Sequence, residues 1–372
     1  MAALDEITIK GFKSIKDLTG FKPAKLNILV GANGAGKSNL VDFFRMLRAM
    51  ADGRLQKFVT DGGGPDGYFF NGPKETKSIF AHLKFGYNEF QFYVEPTVAG
   101  EMRIYNESTL YTGGKDQDWK YWGSGRKESW LPEWRDRQSQ WGPYLSAEGH
   151  VHKAVSSWMV YHVHDTTNAA PMRRDCSVRD FRELNPDAGN IAAFLLKMRE
   201  INIERYQRIR ETVQLMAPFF DDFILDPQNK GDSEVVRLEW RQKGSTFPLQ
   251  PWQLSDGTIR FICLATALLQ QNPPSTVVID EPELGLHPFA IETLAALLHE
   301  AAAGNRTQLL VSTQSPGLLD HFDAEHLVVV DREDGASVFR RLDSGTLEEW
   351  LKDYSLGDLV RKNIIESGPR HA

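Results

Sequence analysis

The segment GANGAGKSNL, Gly31 to Leu40, directly follows the apolar run LNILV (Leu26 to Val30). It runs on into SNLVDFFRMLRAM, where Leu40, Phe43, Phe44 and Leu47 recur at helical spacing. A buried strand that breaks into three glycines, a lysine and a serine and then becomes a helix leaves few folds open. Gly31, Gly36, Lys37 and Ser38 satisfy the pattern G-x-x-x-x-G-K-[ST]. The backbone N–H groups of such a loop converge, and the helix beginning near Lys37 offers its positive end, so both favour a phosphate chain. Lys37 is placed to reach β- and γ-phosphates, and the Ser38 hydroxyl to hold Mg²⁺. A chance match in a glycine-rich turn is the competing reading, but the strand before and the helix after are what the mechanism requires.

A phosphate loop alone hydrolyses nothing. The stretch VVIDEPELGLHP, Val277 to Pro288, carries an apolar strand into Asp280 and Glu281. Carboxylates at the carboxyl end of a parallel strand stand where open α/β sheets bind ligands. Asp280 can take the metal and Glu281 can orient and deprotonate an attacking water, against the plainer reading of a solvated acidic turn. A third piece, QLSDGTIRF (Gln253 to Phe261), puts Ser255 and Gly257 at the start of the helix TIRFICLATALLQ, a second anion-binding helix start. One active site needs one such start. Two make sense when two copies pair head to tail and each completes the other's site.

Strands and helices alternate cleanly through the last third: STVVID, FAIETLAALLHEAAA, TQLLVS and HLVVVD predict a parallel sheet covered on both faces. Two strands, LDEITIKGF and LNILV, joined by a polar turn region, open the chain, and SIFAHLKF and EFQFYVEP alternate as in an antiparallel sheet. From about Thr112 to Gly149 the hydrophobic period is lost, and six of the nine tryptophans fall between Trp119 and Trp158. That stretch reads as an irregular insertion with a small core of its own, although tryptophans could also stack bases or face a partner. Asn190 is placed to cap one long helix, 191–216.

With 50 acidic and 43 basic residues among 372 the net charge is −7, so DNA contact would require a local basic patch. The arginines of MRRDCSVRDFRE and of the 199–210 helix could supply one, but beside Glu183, Glu200, Glu204 and Glu211 they read as a salt-bridged, solvated face. Two cysteines, Cys176 and Cys263, without paired spacing, fit a reducing compartment. No signal peptide and no stretch of roughly 20 apolar residues is present, so the expected location is the cytoplasm, away from membranes. His162 and His164, like His150 and His152, share a spacing that could hold a metal, but ordinary hydrogen-bonded side chains have the same spacing.

GANGAGKSNL, LSDGTIR, VVIDEPELGLHP and VSTQSP occur in the order found in ABC-type ATPase heads, and the chain resembles the RecF-like and SMC-like branch, in particular short stand-alone ATPases related to the OLD family. The opening ITIKGFKSIKDL resembles that branch's first strand and turn. The motifs cover the first ~50 residues and about 250 to 331, and the match is weaker between them. The resemblance implies an α/β P-loop NTPase of ABC-head type, with a mixed central sheet, an antiparallel N-terminal sheet and an inserted, mostly helical or irregular middle. The head would be split into 1–111 and 236–372 around an insertion at 112–235. It implies ATP and Mg²⁺ as cofactors, with Asn33, Gly34, Gly36, Lys37, Ser38 and Asn39 at the nucleotide, and Ser38 and Asp280 at the metal. Glu281 would be the general base. Ser255 and Gly257 would be the signature facing the γ-phosphate of a partner subunit, and His287 a cross-interface contact. Lys13 and Ser14 lie where the branch touches the α-phosphate or base, although an exposed Lys-Ser turn is an equal reading. Gln314 stands where many ABC enzymes have a switch histidine; it can hydrogen-bond but cannot accept a proton, which points to slow hydrolysis. The Q-loop glutamine has no obvious counterpart, and Tyr68–Thr76, with Asn71 or Lys74, is the expected region.

Two functions follow. One is an ATPase whose ATP-bound homodimer switches DNA or a partner, with kinship implying DNA repair or defence against phage. The other is a slow-turnover scaffold or sensor for an effector protein, without a DNA role. About 40 residues follow Asp331, fewer than the roughly 100 of a nuclease domain, so the effector is expected to be a separate protein. A small-molecule kinase would leave LSDGTIR unexplained.

Overall fold

Along LNILV every residue is buried, yet successive side chains enter different cores. Ile28 and Val30 point into one and Leu29 into the other, the period of two that a strand buried on both faces imposes. The structure, a computed structural model, describes residues 3–115, 117–135, 137, 146–304, 307–342, 344–347, 349–362 and 364–365.

The N-terminal sheet is antiparallel: β1 (Glu6–Phe12), β2 (Ile15–Phe21), β4 (Ile79–Phe85), β5 (Asn88–Pro96), β6 (Met102–Tyr111) and β7 (Lys120–Tyr121), in the order β2-β1-β4-β5-β6-β7. The central sheet is β3 (Leu26–Val30), β8 (Met159–Tyr161), β9 (Thr276–Asp280), β10 (Gln308–Thr313), β11 (Leu327–Glu333) and β12 (Ala336–Arg341). Its order is β12-β11-β3-β10-β9-β8, all parallel except β12, which folds back on β11 as a hairpin. The fold class read from the sequence is the one observed. The polar turn expected after the first strand contains β2, whose pairing with β1 was not foreseen.

Helix α1 (Lys37–Ala51) lies between the two sheets, and Leu40, Phe43, Phe44 and Leu47 share one core with Ile7, Ile9, Leu83, Phe90 and Val278. Trp134 and Trp158 belong to that same core and Trp122 and Trp130 pack against it, whereas Trp119 is exposed. Trp134 and Trp158 are fully buried, Trp134 edge-on to Phe90 and Trp158 against Phe44. Trp141 lies outside the described residues.

The other face of the central sheet is covered by α3 (Ile191–Ile201), α4 (Ile203–Met216), α5 (Asp256–Leu269) and α6 (Pro288–Ala303), with α2 (Ala147–Ser156) on the side of α1. The single helix expected over 191–216 is interrupted at Asn202, whose side chain accepts from the Arg205 N–H and starts α4. Asn190 makes no cap. It accepts from the Asn185 N–H and donates to the carbonyls of Asp180 and Glu183, fastening the preceding loop. Both cysteines are free, and among the described residues no helix is long and apolar enough to cross a membrane.

Candidate functional site

Two glycines let the loop after β3 take its shape. A Cβ at Gly31 would lie 2.1 Å from the carbonyl oxygen of Val330 on β11. Gly36, at φ 112°, has room for none, because a Cβ would sit 1.9 Å from Ser337 Oγ on β12. The loop is buttressed from behind: Ser337 Oγ donates to Ala35 O at 2.5 Å, Ser14 Oγ lies 2.6 Å from Ser337 Oγ, and Asn39 Nδ2 donates to Ser14 Oγ at 2.6 Å.

Asn33, Gly34, Gly36, Lys37, Ser38, Asn39, Glu281 and Gln314 line one cleft of about 140 Å³. Lys37 is buried, and Nζ donates to the carbonyls of Gly31 (2.6 Å) and Ala32 (3.1 Å). Burial holds its pKa below the usual lysine value, against the pull of Glu281, Asp280 and Glu283. Ser38 Oγ is 3.5 Å from Asp280 Oδ1, which also accepts from Ser312 Oγ. Glu281 begins the turn after β9 at φ 44°, a strained value for a residue with a Cβ, and its N–H donates to Ser312 O at 2.9 Å. Its carboxylate accepts from the Gln314 amide.

Glu283, in the quoted EPELG but assigned nothing from the sequence, is buried in the same place. It accepts from Thr313 Oγ1 at 2.5 Å and the Gln314 N–H at 3.2 Å, and burial raises its pKa. So the carboxylate that fixes the Gln314 backbone comes from the turn that carries Glu281. The only sequence signal was a third acid within four residues of Asp280.

Lys13 and Ser14 stand apart from this cleft. Lys13 Nζ pairs with Asp42 at 2.5 Å, Ser14 is buried behind the loop, and both border a neighbouring hollow of about 370 Å³ with Asn39, Phe69, Phe70, Asn71 and Arg332. The loop expected to replace the Q-loop, Tyr68–Thr76, borders that hollow through Phe69, Phe70 and Asn71, whereas the strand on the outer side of β9 is β8. Its continuation brings His164 Nε2 to 2.9 Å from Asp280 O, with His162 stacked on His164 at 4.4 Å and bonded to Arg45 at 2.8 Å. Burial, Arg45 and His164 hold the His162 pKa down. Sequence alone could not pair a three-residue strand with its neighbour.

Ser255 and Gly257 do not line the Lys37 cleft. Ser255 is exposed and caps α5, its Oγ accepting from the Thr258 N–H at 3.1 Å. A Cβ at Gly257 would lie 2.3 Å from Gly285 O, so α5 starts against the turn that follows Glu283. Arg260 secures that contact, with Nε to Val163 O (3.0 Å), Nη2 to His164 O (3.1 Å) and Nη1 to Leu284 O. His287 is exposed and caps α6, its Nδ1 accepting from the Phe289 N–H at 3.3 Å.

Residues 26–157 and 162–320 match the family described as "AAA domain, putative AbiEii toxin, Type IV TA system". The chain is 27% identical over 215 residues to an OLD nuclease of Thermus scotoductus, covering 52% of this chain and 39% of that protein. It is 24% identical over 159 residues to the energy-coupling factor transporter ATP-binding protein EcfA3 of Oenococcus oeni, covering 38% of this chain and 54% of that one. The chain therefore spans about half or less of these relatives' length. The fold is similar to an Smc head solved with the C-winged helix domain of ScpA (TM-score 0.55, 16% identity, 94% of this chain and 99% of that one). It is also similar to an Smc head with an extended coiled coil, bound to the C-terminal domain of ScpA, from Pyrococcus furiosus (TM-score 0.53, 15% identity, 95% and 99%).

The chain belongs to this AAA-domain family, is similar in sequence to an OLD nuclease and shares the fold of Smc heads.

Proposed function

We propose that this family member works as an ATP-switched head: ATP joins two copies, each lending Ser255 and Gly257 to the other's Lys37 cleft, and hydrolysis through Glu281 releases them. The observation that carries the reading is the separation of parts. Lys37, Ser38, Glu281 and Gln314 meet in one cleft, while Ser255 is exposed and outside it. Trp252, Leu284 and Phe289, near Ser255 in the chain or beside the turn packed on Gly257, are also solvent-exposed, as an unpaired contact surface would be.

The residues fit a magnesium nucleotide. The glycines leave space a side chain would fill, the buried ammonium of Lys37 faces carboxylates, and Ser38 and Asp280 offer the hard oxygens that Mg²⁺ takes. When bound, the ion offsets charge on the β- and γ-phosphates. Lys37 turns from the loop carbonyls to the phosphate chain, Glu281 takes a proton from the attacking water, and Gln314 holds the carboxylate and water in line. The Gln314 amide, bonded to the Glu281 carboxylate, would orient it before substrate arrives.

The dimer would drive a separate effector protein or DNA, in DNA repair or defence against phage, within the cytoplasm. A second reading, a slow-turnover scaffold for such an effector, draws support from Gln314, which occupies Glu281 and cannot accept a proton. The test compares wild type with Glu281→Gln by light scattering and phosphate release, with ATP and Mg²⁺, with and without linear DNA. The switch predicts ATP-dependent dimers in the variant and phosphate release only in wild type. A protein that stays monomeric with ATP would sink the switch, and unchanged turnover in the variant would favour the scaffold.

A further inference from the structure

The arginines of MRRDCSVRDFRE were expected on a solvated, salt-bridged face, and Arg173 is not there: it is 3% exposed. It ends the short turn Pro171–Arg173, a few residues beyond the His164 segment beside Asp280. Its guanidinium makes four hydrogen bonds. Nε donates to Thr166 O at 2.9 Å, Nη1 to Leu254 O at 3.2 Å and to Pro251 O, and Nη2 to Asp256 Oδ1 at 2.9 Å. Three of these four acceptors belong to Pro251–Asp256, the turn that delivers Ser255.

The consequences are specific. The Leu254 carbonyl and the Ser255 N–H share one planar peptide, so a donor fixed on that carbonyl sets the direction of that N–H. Asp256 is exposed and follows the serine directly, and its charge would repel a phosphate arriving at the start of α5. The guanidinium holds that carboxylate and offsets its charge. A buried cation carries a desolvation cost, and a lysine cannot reproduce a fork that spans three backbone carbonyls and a carboxylate.

We propose that Arg173 is a positioning residue for Ser255, acting through the Pro251–Asp256 turn on the nucleotide held by a second copy of this chain and not on the nucleotide in its own cleft. The proposal rests on the two-copy reading above. It gives Arg173 a property that a purely structural arginine lacks: its loss damages the half-site lent to the partner and spares the chain's own half.

Mixing experiments read that difference. Arg173→Gln and Arg173→Lys, each alone, are expected to bind a fluorescent ATP analogue within about twofold of wild type and to hydrolyse ATP about tenfold more slowly. Lys37→Ala is inactive in its own cleft but keeps an intact Ser255 turn. An equal mixture of Lys37→Ala with either Arg173 variant should recover about a quarter of the wild-type rate. Half of the dimers are then mixed, and each has one complete site of two. Lys37→Ala mixed with Ser255→Arg is the control and should recover equally. If the control recovers and neither Arg173 mixture does, the proposal is overturned, as it is if the Arg173 variants lose ATP affinity by about tenfold or more. Should Arg173→Gln unfold below the assay temperature, the Arg173→Lys mixture decides. A control that recovers nothing takes down the shared-site reading itself, and the proposal with it.

Discussion

The side-chain amide of Gln314, at the end of β10, donates a hydrogen bond to the carboxylate of Glu281, at the end of β9. Two neighbouring parallel strands thus end in a donor and an acceptor facing each other across one cleft. An amide fixes the carboxylate without competing for its proton, whereas a second carboxylate would compete. Gln314→Glu is therefore expected to move the acidic limb of the kcat–pH profile upward by about one unit or more, because two adjacent carboxylates share a proton. A profile that keeps its acidic limb would show that Gln314 does not face Glu281 during turnover.

Lys37 stabilises a ligand at some expense to the free protein, because burial disfavours its charge. At ATP concentrations of 100 times Kd, binding should stabilise wild type by about 2.7 kcal/mol. Lys37→Met removes the hydrogen bonds to the Gly31 and Ala32 carbonyls together with the buried charge, effects of opposite sign, so the ligand-free Tm should stay within about 5 °C of wild type while the ATP-induced rise is abolished. Differential scanning fluorimetry with and without ATP checks both halves. An undiminished ATP shift in the variant would remove Lys37 from the nucleotide site.

Gly31→Ala puts a methyl group against the Val330 carbonyl, a backbone atom of a central strand that cannot swing away. The expected loss is about 3 kcal/mol, lowering Tm by about 5 °C, together with weaker ATP binding because the loop must shift. A variant that melts and binds ATP like wild type would mean that the loop is displaced from β11 in solution.

Glu107 provides a pH dependence remote from the cleft. Its carboxyl is fully buried on β6, accepts from Ser129 Oγ and from the Trp130 N–H at 2.9 Å, and burial pushes its pKa up to about 7 from 4.5. The native state keeps that proton to higher pH than the unfolded chain does. Stability is therefore lost as pH rises from 4.5 to 7, by up to about 3 kcal/mol from this group. Glu107→Gln should flatten the decline of Tm with pH over that window, as followed by calorimetry. A decline of unchanged slope would show that the carboxyl is ionised in the fold.

The local sequence determined the phosphate loop, because a strand, a glycine turn and a helix start lie within fifteen residues and their chemistry is written in adjacent positions. It determined the central strands too, since continuous apolar runs such as LNILV, TVVID and QLLVST leave no exposed face. It placed Asp280 and Glu281 at a strand end for the same reason. What it left open depended on pairings across long separations. Nothing in the sequence places the three-residue β8 beside β9 and so brings His164 to Asp280, or sets Ser337 behind Gly36. Arg173 is the clearest case: its neighbours in the chain are charged, which predicts solvent, but four oxygen acceptors converge on it only after residues 166 and 251–256 have folded together. Buried polar side chains are placed by the partners that satisfy them, and only the tertiary structure supplies those partners.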